Sequence, residues 1–547
     1  MEIEHIVVLM LENNSFDRML GNVPGVDGVD PAHPRSNPDL SGAPVFESTT
    51  TVRTLLCDPA DPSSNKLDPE HDLADVLEQM QGANLGFVTN FQRHYSQCKP
   101  DAWAEVMKYY GLGSLPVLHE LAQSFVVCDQ WFSSLPGPTW PNRYFVHSGT
   151  SLGHTDMPEG IFRPNLHWYD QDTVYDRLND VGKTWAIYYG DVPQTLTMTH
   201  MWDQPLHFHK MGQFFTDASG AEADFPNYSF IEPTYFGDDQ NDQHPPSDIL
   251  RGEVLLAQVY NAIRSNEALW EKTLLVIVYD EHGGFHDHVY PPPCVPPDGN
   301  VTEFSFAQYG IRVPSVLISP WLEKQVISDV FDHTSLLKFV IDLWGLGALG
   351  ARTAAAKSFA SSWKVAAALR TDVPAAIAEP KTLPNPEVDG MNPNQLALVG
   401  FSRYLETKTV ALAGETSPAA AKAMTMKVGE RLLWSTEQDR HGEVAVQRVE
   451  EFLELARQKA TKPRVAGRGK NAGVAKAELA KEIPGKKVTT KEAAGKTMAK
   501  GGRAATAQAP DGGKVVSREV KKEAKAVAAK RVAAASKKGA KKPLRKR

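Results

Sequence analysis

Ile6-Val7-Val8-Leu9-Met10-Leu11 runs without a break into Glu12-Asn13-Asn14-Ser15-Phe16-Asp17. Far downstream, Leu274-Leu275-Val276-Ile277-Val278-Tyr279 runs into Asp280-Glu281-His282-Gly283-Gly284-Phe285-His286-Asp287-His288. Each stretch is a short, β-branched apolar run that stops at carboxylates and hydrogen-bonding groups. A parallel strand covered on both faces has that continuous apolar character. In open α/β sheets the crevice beyond the carboxyl ends of such strands is where ligands bind. Two edges rich in acid, amide and imidazole therefore point to a metal-assisted site.

The same pattern recurs around them. Residues 1–365 read as one α/β domain with buried strands at 5–11, 124–132, 184–189, 273–279 and 312–318, and helices at 70–80, 114–123 and 252–265. Alternating strands and helices predict a mainly parallel sheet sandwiched by helices. The polar loops 22–66 and 280–305 are long enough to be functional or disordered. Residues 380–396 turn to Pro, Asn and Asp and read as a linker. A helical extension at 397–458 follows, in which Val446, Val449, Leu453 and Ala456 form one apolar stripe that should pack on the body. From 459 to 547 the text is Lys, Ala, Gly and Thr, which cannot bury enough apolar surface to offset chain entropy, so this basic tail is expected to be disordered.

The overall charge of −8 conceals a division. The tail carries 27 Lys/Arg against 6 Asp/Glu, a net of +21, which leaves the preceding 458 residues at −29. Such asymmetry suggests a separate interaction segment, suited to an anionic membrane surface or nucleic acid, or simply a solvated tail. Cys57, Cys98, Cys128 and Cys294 are scattered, which fits a reduced compartment. No apolar run approaches the roughly 20 residues of a transmembrane helix. The N-terminal apolar run lacks a preceding basic region and leads straight into the site, so the expectation is a cytoplasmic protein with no signal peptide, able to associate with a membrane surface.

Glu12, Asn13, Asp280 and Glu281 together offer three carboxylates and an amide carbonyl. Gathering like charges is costly unless a cation lies among them. All-oxygen donors favour one hard divalent ion, with Ca²⁺ first and Mg²⁺, Mn²⁺ or Fe as alternatives. The competing reading makes each pair a helix N-cap. In Leu135-Pro136-Gly137-Pro138-Thr139-Trp140-Pro141-Asn142-Arg143-Tyr144, three prolines and a glycine stiffen a loop that presents the hydroxyl of Thr139. Beside a divalent cation a hydroxyl can ionise and become a nucleophile. Arg143 suits either a phosphate fork or a structural salt bridge. His71, in Asp68-Pro69-Glu70-His71-Asp72, and His244, in Asn241-Asp242-Gln243-His244-Pro245-Pro246, are presented by polar text. Imidazole there can donate to phosphoryl oxygens or protonate a leaving alkoxide. His282 joins them as an anion contact, whereas His286, His288 and His333 read as structural.

Taken together, these stretches resemble the phosphoesterase family that holds bacterial and plant non-specific phospholipases C and a related acid phosphatase. The shared motifs are Glu12 to Asp17, Gly137 to Arg143, Asn241 to Pro246 and Tyr279 to Val289. Phe230-Ile231-Glu232-Pro233, Arg312-Val313-Pro314, Ile318-Ser319-Pro320-Trp321 and Asp332-His333-Thr334-Ser335 extend the likeness. It is ordered along residues 1 to about 360 and does not reach 380–547. The resemblance implies an alkaline-phosphatase-like fold in which Glu12, Asn13, Thr139, Asp280 and Glu281 surround one divalent metal. It makes Thr139 the nucleophile, with His71 and His244 on the phosphoryl group. Asn14 stands where the family commonly has Arg, and His286 where an aromatic is common. The apparent lack of an export signal also departs from many bacterial relatives.

The expected chemistry is hydrolysis through a phosphothreonine. The expected substrate is a phosphodiester lipid cut on the glycerol side, in the manner of a phospholipase C; the alternative is an acid phosphatase with the same core. Trp103, Trp131, Trp140, Trp168, Trp202 and Phe208 suit either an acyl or choline site or core packing. Two other readings compete: a binding protein without turnover, against which intact Thr139, Asp280 and Glu281 argue, and a tail that carries the main function.

Overall fold

The computed structural model describes residues 2–50, 68–96, 100–158, 169–302, 304–385, 391–416, 422, 424 and 442–461. The tail beyond 461, together with Cys57, Cys98 and Trp168, lies outside them. The main sheet has eight strands: β1 (His5–Leu11), β2 (Val126–Cys128), β3 (Trp185–Tyr189), β4 (Phe208–Lys210), β5 (Tyr228–Glu232), β6 (Thr273–Tyr279), β7 (Ser315–Ile318) and β8 (Gln325–Ile327). Their spatial order is β8-β2-β7-β6-β1-β5-β3-β4. Every residue of β1, β5 and β6 is buried, and β1 and β6 accordingly read as nearly unbroken apolar text.

Parallel pairing dominates, with β1 flanked by β5 and β6. Only β7 runs against its neighbours β6 and β2. Among the described residues the connection from β6 to β7 contains no helix, so no crossover returns the chain to the other end of the sheet. The stretch 124–132 divides: Val126–Cys128 joins the main sheet, and Trp131–Phe132 pairs with Phe331–Asp332 in a separate ribbon. The candidate 312–318 shortens to β7.

Register settles where the acidic motifs meet. Leu11 of β1 lies opposite Tyr279 of β6, so Glu12 and Asp280 leave the same sheet edge side by side. The Asp280 N–H donates to the Leu11 carbonyl at 3.2 Å. Around the sheet pack α1 (Phe16–Leu20), α2 (Leu73–Gln79), α3 (Pro116–Ser124), α4 (Thr139–Ser148), α5 (Ile249–Ser265) and α6 (His333–Trp344). Trp131, Trp140 and Phe208 are fully buried in the core, while Trp103 and Trp202 are half-buried against it.

The C-terminal extension is α7 (Pro393–Thr416) and α8 (Glu443–Thr461). Val449, Leu453 and Ala456 are buried and Val446 is half-buried, with Val449 and Leu453 part of the main hydrophobic cluster. Burying Val449, Phe452 and Leu453 contributes roughly 1.5–3 kcal/mol each. Arg448 pairs with Glu406 of α7 at 3.0 Å, and Arg457 donates to the Phe208 carbonyl at 2.8 Å. Among the described residues no helix is long and apolar enough to cross a membrane.

Candidate active site

The site begins at the tip of β1. Asn13 adopts a left-handed backbone, φ 55°, which Asn tolerates better than most residues. That turn aims its N–H at Asp280 Oδ1 (3.1 Å) and its side chain across the edge of the sheet. The Asn13 amide is the hub: its oxygen accepts from the Thr139 hydroxyl at 3.4 Å, and its nitrogen faces His71 Nε2 at 3.2 Å. Thr139 is the first residue of α4, where the helix dipole favours a developing negative charge. Glu12, Asn13, Thr139, Asp280 and Glu281 are all buried.

One imidazole, His71, faces this hub, and a second, His244, lies beside it. Nδ1 of His71 donates to the Pro69 carbonyl (2.7 Å), leaving Nε2 toward Asn13 and 3.8 Å from Glu281 Oε1. Burial opposes protonation of His71, but Glu281 and Asp68 outweigh it and push the ring up to about 10. Nδ1 of His244 reaches the Pro245 carbonyl at 2.6 Å, which leaves Nε2 3.6 Å from Asp68 Oδ2. The rings of His71 and His244 lie 6.3 Å apart, centroid to centroid.

Arg143 forms a buried ion pair with both strand-end carboxylates. Fully buried, it donates to Asp280 Oδ2 at 2.9 Å and to the Tyr235 hydroxyl at 3.0 Å, and it lies 3.2 Å from Glu12 Oε1. His282 lies in the second rank: its Nε2 meets Gln79 Oε1 at 2.8 Å and its Nδ1 lies 3.3 Å from Glu281 Oε2, so it steadies that carboxylate. His333 bonds the Asp280 carbonyl at 2.7 Å, a structural place in keeping with the reading from the sequence.

Beneath the site a second polar cluster locks the two motif loops together. Arg312 donates to Asp287 Oδ1 (2.8 Å) and Asp17 Oδ1 (3.0 Å), while His288 meets Asp17 Oδ2 at 2.7 Å. Burial alone would raise the Asp17 carboxyl, but Arg312 and His288 prevail and hold it well below the carboxylate range. Asn14 is also a brace: its side chain donates to the carbonyls of Glu12 (3.0 Å) and Gln243 (3.2 Å), tying β1 to the loop that carries His244. His286 is buried, and burial depresses its ring to about 4.

The donor set fits a divalent cation. Burial drives Glu12 well above its ordinary range and Asp280 up to about 6, despite Arg143 beside both. Glu12 Oε2 and Glu281 Oε1 are buried and accept no hydrogen bond among the described residues. Such orphaned carboxylate oxygens are expensive unless a cation faces them. Ligand atoms of Asp68, His71 and His244 also lie within 4.8 Å of one another. Asp68 and Asp242 escaped the reading of the sequence, although each stands in a motif already quoted for its histidine. Asp242 is buried below Glu12, and burial lifts its carboxyl to about 7.

Gly283 holds the turn after Glu281 at φ +64°, and a Cβ there would stand 2.2 Å from the Asn13 carbonyl oxygen. Gly283→Ala is therefore expected to push the two strand-end loops apart. It should cost at least about 1 kcal/mol of stability from the left-handed backbone alone. Denaturant unfolding and divalent-cation titration would check this; wild-type values for both would show that the close approach is not needed.

A carboxylate-rich sheet edge, a hydroxyl at a helix N-terminus and paired imidazoles define a hydrolase acting on phosphate esters. The sequence model of the Phosphoesterase family matches residues 3–347, and the chain belongs to that family. It is 35% identical over 410 residues to non-specific phospholipase C6 of Arabidopsis thaliana, covering 69% of this chain and 75% of that protein. It is 29% identical over 399 residues to phospholipase C A of Mycobacterium tuberculosis, covering 63% and 73%. Among solved structures it is similar to a protein in the alkaline phosphatase superfamily from Vibrio parahaemolyticus, with a TM-score of 0.27 at 12% identity over 44% of this chain and 64% of that one.

Proposed function

We propose that this phosphoesterase is a phospholipase C-type enzyme that cleaves phosphodiester lipids through a phosphothreonine. The observation that carries the reading is the Asn13 amide, which joins the Thr139 hydroxyl (3.4 Å) and His71 (3.2 Å) at the acidic sheet edge. The names of the relatives support the lipid class. Glu12, Asn13, Asp280 and Glu281, with Thr139, are the residues that would hold a divalent cation. Bound there, it would neutralise the carboxylates and lower the pKa of the adjacent hydroxyl.

Thr139 gives up its hydroxyl proton to solvent as Oγ attacks phosphorus, and the bond from phosphorus to the alcohol oxygen breaks. His71 or His244 gives its proton to that departing oxygen. Water then attacks the phosphothreonine and returns a proton to the histidine; the phosphorus–Oγ bond breaks, and Thr139 regains a proton from solvent as the phosphorylated head group leaves. Asn13 positions the hydroxyl, and the N-terminus of α4 favours the negative charge that grows on it. Positioning and charge neutralisation supply most of the acceleration.

Two measurements test the assignment. Removing divalent cations with a chelator should lower turnover by about 10²-fold or more, and adding back one of Ca²⁺, Mg²⁺ or Mn²⁺ should restore it. Turnover that survives chelation would refute the cation's role. A phosphatidylcholine and a phosphomonoester, assayed side by side, separate the proposed activity from that of an acid phosphatase. A kcat/KM favouring the monoester would overturn the lipid assignment.

A further inference from the structure

The described residues of the stretch read as a linker, 380–385 and 391–396, make contacts around the site. Asn385 donates to the carbonyls of Asp238 and Gln240, each at 3.3 Å, and accepts from the Asp248 N–H at 2.9 Å. It thereby clamps both flanks of the loop that carries His244. Gln395 then donates to the Tyr235 carbonyl at 2.6 Å, and the hydroxyl of the same tyrosine holds Arg143. Between these contacts, in the first turn of α7, stands Asn394. It is buried, lies beyond the end of the family match at residue 347, and touches the cation-ligand carboxylate directly.

Its two bonds are directional. The indole N–H of Trp140 can only donate, and it does so to Asn394 Oδ1 at 2.8 Å. The amide nitrogen must then face the other way, and it donates to Glu12 Oε1 at 2.8 Å. With Oε1 taken by Asn394 and Arg143, Oε2 is the oxygen left without a hydrogen bond. Trp140 follows Thr139 in the chain. One amide therefore spans the strand-end carboxylate and the helix turn that presents the hydroxyl. Leu, Ala or Ser at this position cannot serve both ends.

We propose that Asn394 is a positioning residue for the phosphoesterase site: it rotates Glu12 so that Oε2 faces the cation, and it fixes the first turn of α4 relative to β1. The catalytic unit therefore extends past the family domain into the C-terminal helix. The inference rests on the reading of Glu12 as a cation ligand.

The test is isothermal titration of the full chain with Mn²⁺ and with Ca²⁺, together with kcat and KM on bis(p-nitrophenyl) phosphate. Asn394→Ala should weaken cation binding by about 10–100-fold, the usual consequence of losing a partner behind a metal ligand. Trp140→Phe, which removes only the N–H that orients the amide, should weaken it by a smaller factor, and the double variant should lose less than the product of the two. Leu396→Ala, exposed on the same helix, should bind as wild type. Glu12→Gln is the benchmark. If Glu12→Gln loses the cation while Asn394→Ala and Trp140→Phe keep wild-type affinity, the positioning role is refuted and the ligand assignment stands. If Glu12→Gln itself binds normally, both fall. Equal weakening in Leu396→Ala would mean a helix-wide disturbance and would also refute the role. Should Asn394→Ala not fold, Trp140→Phe alone decides by the same criteria.

Discussion

Thr139→Ala is expected to lower turnover by at least about 10³-fold, the scale seen when an enzyme loses its nucleophile. The fold should change little, while cation affinity should weaken, because one of the five proposed ligand groups is lost. The side chain lost is small, and its hydroxyl makes one long hydrogen bond, 3.4 Å to Asn13, so the substitution removes little of the packing around α4. Thr139→Ser keeps the hydroxyl and should keep most of the rate. Acid-quenched protein from a rapid-mix reaction with ³²P-labelled diester should carry label on Thr139 in wild type and none in Thr139→Ala. A Thr139→Ala enzyme running near the wild-type rate would end the phosphothreonine mechanism, whatever the metal analysis showed.

The second large effect belongs to stability. Arg143→Met removes the guanidinium held between Glu12 and Asp280 and also frees the Tyr235 hydroxyl. Breaking a buried pair from one side leaves charge without compensation and costs about 3–5 kcal/mol. Urea unfolding of the chelated protein should show that loss as a clear fall in the midpoint. Saturating divalent cation should then stabilise the variant more than the wild type, because it supplies charge that the arginine otherwise provides. A midpoint within about 0.5 kcal/mol of wild type, the range of an ordinary surface change, would refute the brace.

Strand-end carboxylates were legible because a strand buried on both faces leaves no room for polar residues until it ends. Glu12 and Asp280 therefore mark the ends of β1 and β6 in the text itself. β5 escaped the same reading. Ser229 and Glu232 interrupt its apolar run, yet both are buried, and Glu232 is satisfied by the N–H groups of Gln194 (2.7 Å) and Thr195 (3.0 Å). Those partners come from another segment, so no local pattern could have announced the strand. Arg143 stayed ambiguous for a related reason, since a guanidinium suits a phosphate and a carboxylate equally well. Only the tertiary structure shows Asp280 and Glu12 on either side of it.

Local text determined what repeats locally: which segments are buried strands, where they release their acidic tips, and which hydroxyl and imidazoles a rigid or polar loop presents. Those features arise from side-chain periodicity and backbone preference within a few residues. Tertiary structure decided what depends on register and on distant partners. The pairing of Leu11 with Tyr279 sets Glu12 beside Asp280. The Arg312 pairs hold Asp17 to Asp287. The start of α7 at the site makes Asn394 a neighbour of Glu12. Hydrogen bonds act over about 3 Å in space whatever the separation along the chain, so a residue nearly four hundred positions from its partner leaves no trace in the text around either one.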